Sequence, residues 1–192
     1  MGRIVVTEFV SLDGVIEAPG GGEDFEHAGW TFEFDRGAEG DRFKIDELYE
    51  AEAQLLGRVT YDGFAAAWPQ MQGTGAFGER MNDMPKYVVS STLESPTWNN
   101  TTVLSGDLAA EISDLKQRVE GVILVAGSAK LVQALLAHGL VDELRLMVFP
   151  VVLGTGQRLF GEAADKQRLA LRESRTVGNG IAILIYEPEL AA

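Results

Sequence analysis

Apolar and polar positions along this chain follow two periods, and the switches between them set out an order of elements. Residues 3–10 are rich in β-branched and apolar side chains and predict a buried strand. Ser11-Leu12-Asp13-Gly14 has the chemistry of a turn. Residues 17–40 lose the pattern: Gly and acidic residues dominate, punctuated by Trp30, Phe32 and Phe34. This predicts a long loop with aromatic anchors, serving either as a functional lid or as a pinned surface loop. Over 41–53, Phe43, Ile45, Leu48, Tyr49 and Ala53 approximate a 3.6-residue stripe and predict a helix.

A short strand at 54–56 then runs into Gly57-Arg58-Val59-Thr60, with a helix from 60 to 67 that Trp68-Pro69 ends. Strands are expected at 86–90 and 102–104, a helix at 107–119, a strongly apolar strand at 121–126 and a helix at 129–137. A strand at 143–149 ends at Pro150. Two last strands, 169–176 and 181–187, flank Gly178-Asn179-Gly180, a strong hairpin signal. Strands alternate with helices and an antiparallel pair closes the chain. That order implies one domain over 1–192, an α/β fold with one mixed sheet covered by helices.

Composition narrows the functions. The formal charge is −13, and no Lys/Arg run offers a local basic patch, so neither nucleic acid nor an anionic membrane is expected as a partner. With no cysteine, disulfides, thiolate nucleophiles and cysteine metal sites are excluded. His27 and His138 are too few and too far apart to suggest a zinc site. The N-terminus enters a strand-like segment with no leader pattern, and no apolar run approaches membrane length. A cytoplasmic location is the default expectation.

Three expected strand ends carry small or hydroxyl residues before a helix or turn: Gly57-Arg58-Val59-Thr60, Ser90-Ser91-Thr92 and Gly127-Ser128-Ala129. Each suits an anionic ligand. Gly admits close backbone approach, a helix start offers free N–H groups, and hydroxyls and Arg add hydrogen bonds to phosphate. Each also fits a strand-to-helix turn shaped only by geometry. Their succession at C-terminal strand ends is the more specific signal, because open α/β sheets bind ligands there. The GxGxxG fingerprint of the usual dinucleotide turn is not expected in this chain.

The ensemble resembles the dihydrofolate-reductase-like superfamily, and within it the branch that includes the reductase domain of the riboflavin-biosynthesis deaminase–reductase. The resemblance rests on Ser11-Leu12-Asp13-Gly14, Leu55-Leu56-Gly57-Arg58-Val59-Thr60-Tyr61, Val88-Val89-Ser90-Ser91 and Val125-Ala126-Gly127-Ser128. Leu140-Val141-Asp142-Glu143-Leu144 through Pro150-Val151-Val152-Leu153-Gly154 extends it. It implies a three-layer fold with a mostly parallel mixed sheet, an NADPH cofactor, a small pyrimidine or pterin substrate and a homodimer.

By position, Gly57, Arg58 and Thr60 resemble the phosphate-binding turn, and Ser90 and Ser91 resemble contacts near the adenosine 2′-phosphate. Gly127, Ser128, Ala129 and Lys130 resemble the pyrophosphate loop, and Val15 and Ile16 would flank the nicotinamide. The family often has two glycines in that loop joined by a cis peptide; here the pair is Ala126-Gly127, and that bond is expected to be cis or strained. Folate reductases carry a proton-donating carboxylate on the first helix, which makes Asp41 and then Glu47 the candidates. Both also fit solvated helix charges, and Asp41 fits an N-cap. The resemblance thus implies hydride transfer from NADPH to a flat heterocycle; the alternative is a non-catalytic NADP(H)-binding sensor of the same fold.

Overall fold

In the computed structural model, which describes residues 1–161 and 166–189, strand β1 (Arg3–Ser11) is apolar on both faces. It therefore needs cover on both. Ile4, Val6 and Val10 join Ile112, Leu115, Leu131, Val132 and Leu135 in one cluster. Val5, one position out of phase, joins Leu48, Tyr61 and Met81 in another. The period of two along the strand thus becomes two helical layers with the sheet between them.

After β1 the long loop contains a 3-10 turn (Trp30–Glu33) and leads to α1 (Gly37–Glu50). Then follow β2 (Ala51–Gly57), α2 (Arg58–Ala67), a second 3-10 turn (Trp68–Gln70) and α3 (Gly75–Asp83). β3 (Lys86–Val89), β4 (Thr101–Leu104), α4 (Leu108–Arg118), β5 (Val122–Val125), α5 (Ala129–Ala137) and β6 (Glu143–Phe149) continue the chain. β7 (Leu169–Val177) and β8 (Ile181–Pro188) form the closing hairpin. The eight strands lie in the order β4-β3-β2-β5-β1-β6-β8-β7. β1 to β6 pair in parallel, and β8 is antiparallel to both β6 and β7. This is the expected mixed sheet with its antiparallel end.

Two elements depart most from the sequence expectation. The first helix runs over 37–50, not 41–53, and Ala51 and Ala53 are fully buried in β2. Its buried side is Gly40, Phe43, Glu47 and Leu48, whereas Ile45 and Tyr49 are exposed. The apolar stripe misled because a polar residue takes a core position: Glu47 accepts a hydrogen bond from Thr7 Oγ1 at 2.9 Å. The second difference is α3, where two glycines and few apolar residues gave no helical period.

The hairpin tip explains why its glycine is needed. Gly178 has φ +48°, and a Cβ there would collide with the Asp35 carbonyl; Asn179 N–H donates to that same carbonyl at 2.9 Å. The tip is thereby fastened to the entry of α1.

At the opposite end of the sheet from the strand-end turns, Lys86 is fully buried at the start of β3. Its ammonium donates to the carbonyls of Asn82 (2.7 Å), Met84 (2.9 Å) and Asn99 (3.0 Å) and lies 4.4 Å from the Trp98 ring centroid. Burial pulls its pKa down to about 8. One cation thus ties the end of α3 to the β3–β4 connection. Lys86→Met should leave three carbonyls without a donor and lower the unfolding free energy by roughly 3 kcal/mol, read from urea denaturation.

Candidate functional site

The crossovers decide where a ligand can sit. β1 and β2 continue into α1 and α2, which contribute Leu48 and Tyr61 to one face of the sheet. β5, between those two strands, continues into α5, which contributes Leu131 and Val132 to the other face. Neighbouring strands that send their chains to opposite faces leave a crevice at their C-terminal ends. The ladder with β1 ends at the pair Val6 and Val125, and that with β2 at Leu55 and Val125. Ala126, Gly127 and Ser128 therefore emerge between Glu8 on one side and Gly57 on the other.

Two glycines let this edge close. A Cβ on Gly57 would collide with Ser128 Oγ, and a Cβ on Gly127 would stand 2.7 Å from Thr60 Oγ1. Gly127 has φ +78°, a conformation that an L side chain rarely adopts. The cis bond among the described residues lies between Gly127 and Ser128, one position beyond the expected Ala126-Gly127. The positive φ and the close approach of Thr60 Oγ1 together reserve position 127 for glycine.

Gly57 and Ser128 are also the N-cap residues of α2 and α5, and neither helix has a side-chain cap. α1 and α3 also lack one, and among the described α-helices only α4 is capped, by Asp107, which accepts from Ala110 N–H at 3.0 Å. The first N–H groups of α2 and α5 thus open on the shared turn contact without a side-chain acceptor, and both helix dipoles present their positive ends there. Ala129 is buried and Lys130 is exposed.

Beside this contact lies a cleft of about 420 Å³, lined by Arg58, Ser90, Ser91, Thr92, Ser105 and Gly106 among others. Arg58 Nε donates to Asp62 Oδ2 at 2.8 Å and Nη1 to Thr92 Oγ1 at 3.3 Å, so the guanidinium is held at the rim. Ser90 Oγ accepts from the N–H groups of Thr92 (3.2 Å) and Leu93 (3.1 Å) and so shapes the turn, while Ser91 is exposed. Sequence reading missed Ser105 and Gly106. Their signal was of the same type, a hydroxyl and a glycine directly after the end of β4.

The loop after β1 is fastened to the segment after β6. Ser11 donates to Asp13 Oδ1 at 2.7 Å, and Asp13 accepts from Leu153 N–H (3.1 Å) and Gly154 N–H (2.9 Å). The Ser11 hydroxyl, helped by those amides, holds the Asp13 carboxyl down at about 2. Ile16 N–H donates to Gln157 O at 2.9 Å, and Gln157 N–H to Glu17 Oε2 at 2.6 Å. Val15 is fully buried; a Cβ on Gly156 would stand 2.7 Å from its Cγ1. Val15 and Ile16 are thus rigid parts of a double-layered loop. Trp30 is an anchor: it is buried, its Nε1 donates to Glu17 O at 2.9 Å, and its ring stands edge-on to Phe149 at 5.3 Å. Phe32 is exposed.

The two α1 carboxylates lie apart from the turns. Asp41 is exposed and paired with Arg36 at 2.9 Å. Glu47 is buried; its Oε2 is 2.6 Å from Lys44 Nζ, and its Oε1 has no hydrogen-bond partner. A third carboxyl was not singled out from the sequence. Glu8, 6% exposed, accepts from Gly127 N–H at 2.7 Å through Oε1. Burial pushes its pKa up to about 8, against smaller opposing effects from that amide and from Lys44. A single Glu within a β-branched run was the only sequence signal. A Gly73-Thr74-Gly75-Ala76-Phe77-Gly78 string does have fingerprint spacing, but it follows a 3-10 turn rather than a strand, so it is not a dinucleotide turn.

Among the described residues no group of three or more His, Asp or Glu is arranged to hold a metal ion. Among the same residues no helix is long and apolar enough to cross a membrane.

This architecture is the dihydrofolate-reductase-like fold. A solved structure of a putative riboflavin biosynthesis protein from Shewanella sp. PV-4 superposes with a TM-score of 0.77 at 22% identity, covering 97% of this chain and 99% of that one. A pyrimidine reductase-like protein from Corynebacterium diphtheriae gives 0.64 at 15% identity, covering 98% and 92%. Within the fold, residues 3–183 match the RibD C-terminal domain family, and the chain belongs to it. Membership supports a reductase-type role. Two Bacillus subtilis (strain 168) proteins are similar over nearly their whole length, both carrying names that mark them as uncharacterized. YyaP is 28% identical over 96% of this chain and 94% of its own, and YwjB is 29% identical over 91% of each.

The raised pKa of Glu8 has a stability consequence with a definite sign. The folded state holds a proton that the unfolded chain releases between pH 4.5 and about 8. The contribution is therefore full below pH 4.5, declines as pH rises through that window, and stays low above it. In Glu8→Gln, which keeps an acceptor for Gly127 N–H, urea unfolding should lose this decline between pH 5 and pH 8.

Proposed function

We propose that this protein is an NADPH-dependent reductase of a small flat heterocycle of the pyrimidine or pterin type. The observation that supports it most is the contact of Gly57 with Ser128, where two uncapped helix N-termini meet over a turn with no room for a Cβ. A pyrophosphate is a ligand of the right charge and size for paired N–H groups at such a point. Arg58, with Ser91, Thr92 and Ser105 in the adjoining cleft, offers a cation and hydroxyls for a 2′-phosphate, the group that distinguishes NADPH from NADH. Arg58 would exchange its contact with Asp62 for that phosphate.

When bound, the nicotinamide supplies the hydride. The chain's own share is binding and orientation. The loop carrying Val15 and Ile16, stiffened by Asp13 and Glu17, supplies a fixed wall for the reacting rings, and rigid placement contributes much of such a rate.

One observation favours the second reading, a binding protein without turnover. Asp41 is turned to solvent and Glu47 is locked to Thr7 and Lys44, so neither is free as a proton donor. NADPH oxidation with pterin and pyrimidine substrates separates the readings: tight binding with no turnover favours the sensor.

Titration calorimetry tests the cofactor site itself. Wild-type protein should prefer NADPH over NADH. Arg58→Ala should weaken NADPH by about tenfold while leaving NADH nearly unchanged, the worth of one charge-assisted phosphate contact. Gly57→Ala should weaken both. Failure of the wild type to bind either nucleotide would end the reductase reading.

A further inference from the structure

Glu8 stands at the cofactor edge of the sheet, yet hydride transfer and phosphate contact leave it without a task. Its position is fixed by the topology. It lies on β1 two residues past the last β1–β5 pair, under the point where the chain leaves β5 for α5. Gly127 N–H points down to Glu8 Oε1 at 2.7 Å, so this amide is committed to the protein and not to a ligand. The next amides, those of Ala129 and Lys130, begin α5, whose N-cap Ser128 makes no side-chain cap. We propose that Glu8 is a positioning residue for an anionic dinucleotide: its buried carboxyl, bonded to the Gly127 amide beneath the β5–α5 loop, takes up a proton when the pyrophosphate docks above it. The proposal rests on the cofactor reading given above.

The physics is that of two like charges across one turn of backbone. An ionised Glu8 and a docked pyrophosphate would both lie close to Gly127 in a setting with little water, where repulsion is strong. The surroundings offer little compensation. On its face of the sheet Glu8 is flanked by Leu146 and Val148 of β6 and Val125 of β5, all apolar. α5 presents Ala129 and Val132 to that face, and its Lys130 is exposed. The cation that acts on Glu8 is Lys44 of α1, and it is already held by Thr7 and Glu47. Among the described residues no other cation acts on Glu8, so the carboxylate is neutralised by a proton. Oε1 keeps the Gly127 amide, Oε2 carries the proton, and the proton comes from solvent. Burial already holds the group at half-protonation near pH 8, so a further rise on docking carries it from mostly ionised to mostly protonated at pH 8.5. By linkage, whatever makes docking favour the protonated acid makes deprotonation weaken docking by the same factor.

The test is calorimetric titration of NADPH into the full chain at pH 8.5, in EPPS and in Tris. These buffers differ in ionisation enthalpy and so report net proton uptake. The 2′-phosphate is already ionised at that pH. Wild-type protein should take up about half a proton or more per NADPH, and its affinity should fall about tenfold from pH 6.5 to pH 9.5. Glu8→Gln, isosteric with the protonated acid, should bind like wild type at pH 6.5, take up no proton and hold its affinity to pH 9.5. Lys86 titrates in the same range but is common to both proteins. Equal uptake in the two proteins, or a wild type with none, overturns the proposal and leaves the cofactor site standing. Loss of binding at pH 6.5 in a folded Glu8→Gln, checked by circular dichroism, overturns it too. No NADPH binding by the wild type at pH 6.5 removes the cofactor reading, and the proposal with it.

Discussion

The strand-end edge depends on one crossing of backbones. The turn from β2 to α2 and the turn from β5 to α5 pass so closely that Ser128 fills the space a Cβ on Gly57 would need. Thr60 closes on Gly127 in the same way from the other side. The crossing brings two helix N-termini to one place and leaves both without side-chain caps. α1 and α3 lack side-chain caps too, so what sets α2 and α5 apart is that their two starts share one point, where both sets of first amides are open to one ligand. Strand order enforces the arrangement. Only because β5 returns between β1 and β2, with its helix on the opposite face, do the two turns meet at all.

Much of this was legible in the sequence, and the reason is chemical. A glycine or hydroxyl residue at the end of an apolar run, just before a helix or turn, is a mark that can be read locally, and Gly57, Ser90 and Gly127 all carried it in succession. The hairpin was equally plain, because Gly178-Asn179-Gly180 between two apolar runs admits little else. The first helix was misplaced for the opposite reason. Hydrophobic periodicity assumes that polar side chains lie outside, and Glu47 lies inside, satisfied in part by Thr7 and Lys44. Ile45 and Tyr49 then looked like core and are surface. The closeness of Gly57 to Ser128 spans more than seventy residues of chain and had no local signature. Glu8 stayed hidden on the same account, since its partner Gly127 lies 119 residues away.

Rigidity at the edge is unequally distributed. The segment after β1 is held twice, by Asp13 to the amides of 153 and 154 and by Glu17 to the amide of Gln157. Trp30 adds a third tie through Glu17 O. These contacts couple the long loop, the turn after β1 and the segment after β6 into one hydrogen-bonded unit. The cleft around Arg58 is different. Its walls combine exposed Ser91, Thr92 and Ser105 with buried Ser90 and Leu104, and its guanidinium is shared between Asp62 and Thr92 at the surface. Preorganisation therefore lies on the side where reacting rings would need exact geometry, and adaptability on the side where a phosphate needs only charge and donors.

β1 carries the tension between stability and use. A central parallel strand is normally apolar on both faces, and positions 4, 5, 6 and 10 obey that rule. Thr7 and Glu8 break it, one on each face, at adjacent positions, and both are nearly inaccessible. Chance polar intrusions into a core tend to be discharged by the nearest available partner. Thr7 fits that description, because α1 supplies Lys44 and Glu47 directly to it. Glu8 does not. Its hydrogen-bond donor is a backbone amide of the most constrained loop in the fold, and its charge is left to burial. A leucine there would pack against Leu146 and Val148 at no desolvation cost, so the carboxyl persists against the interest of the core. That imbalance ties Glu8 to the loop above it, and through the loop to whatever the two helix starts hold.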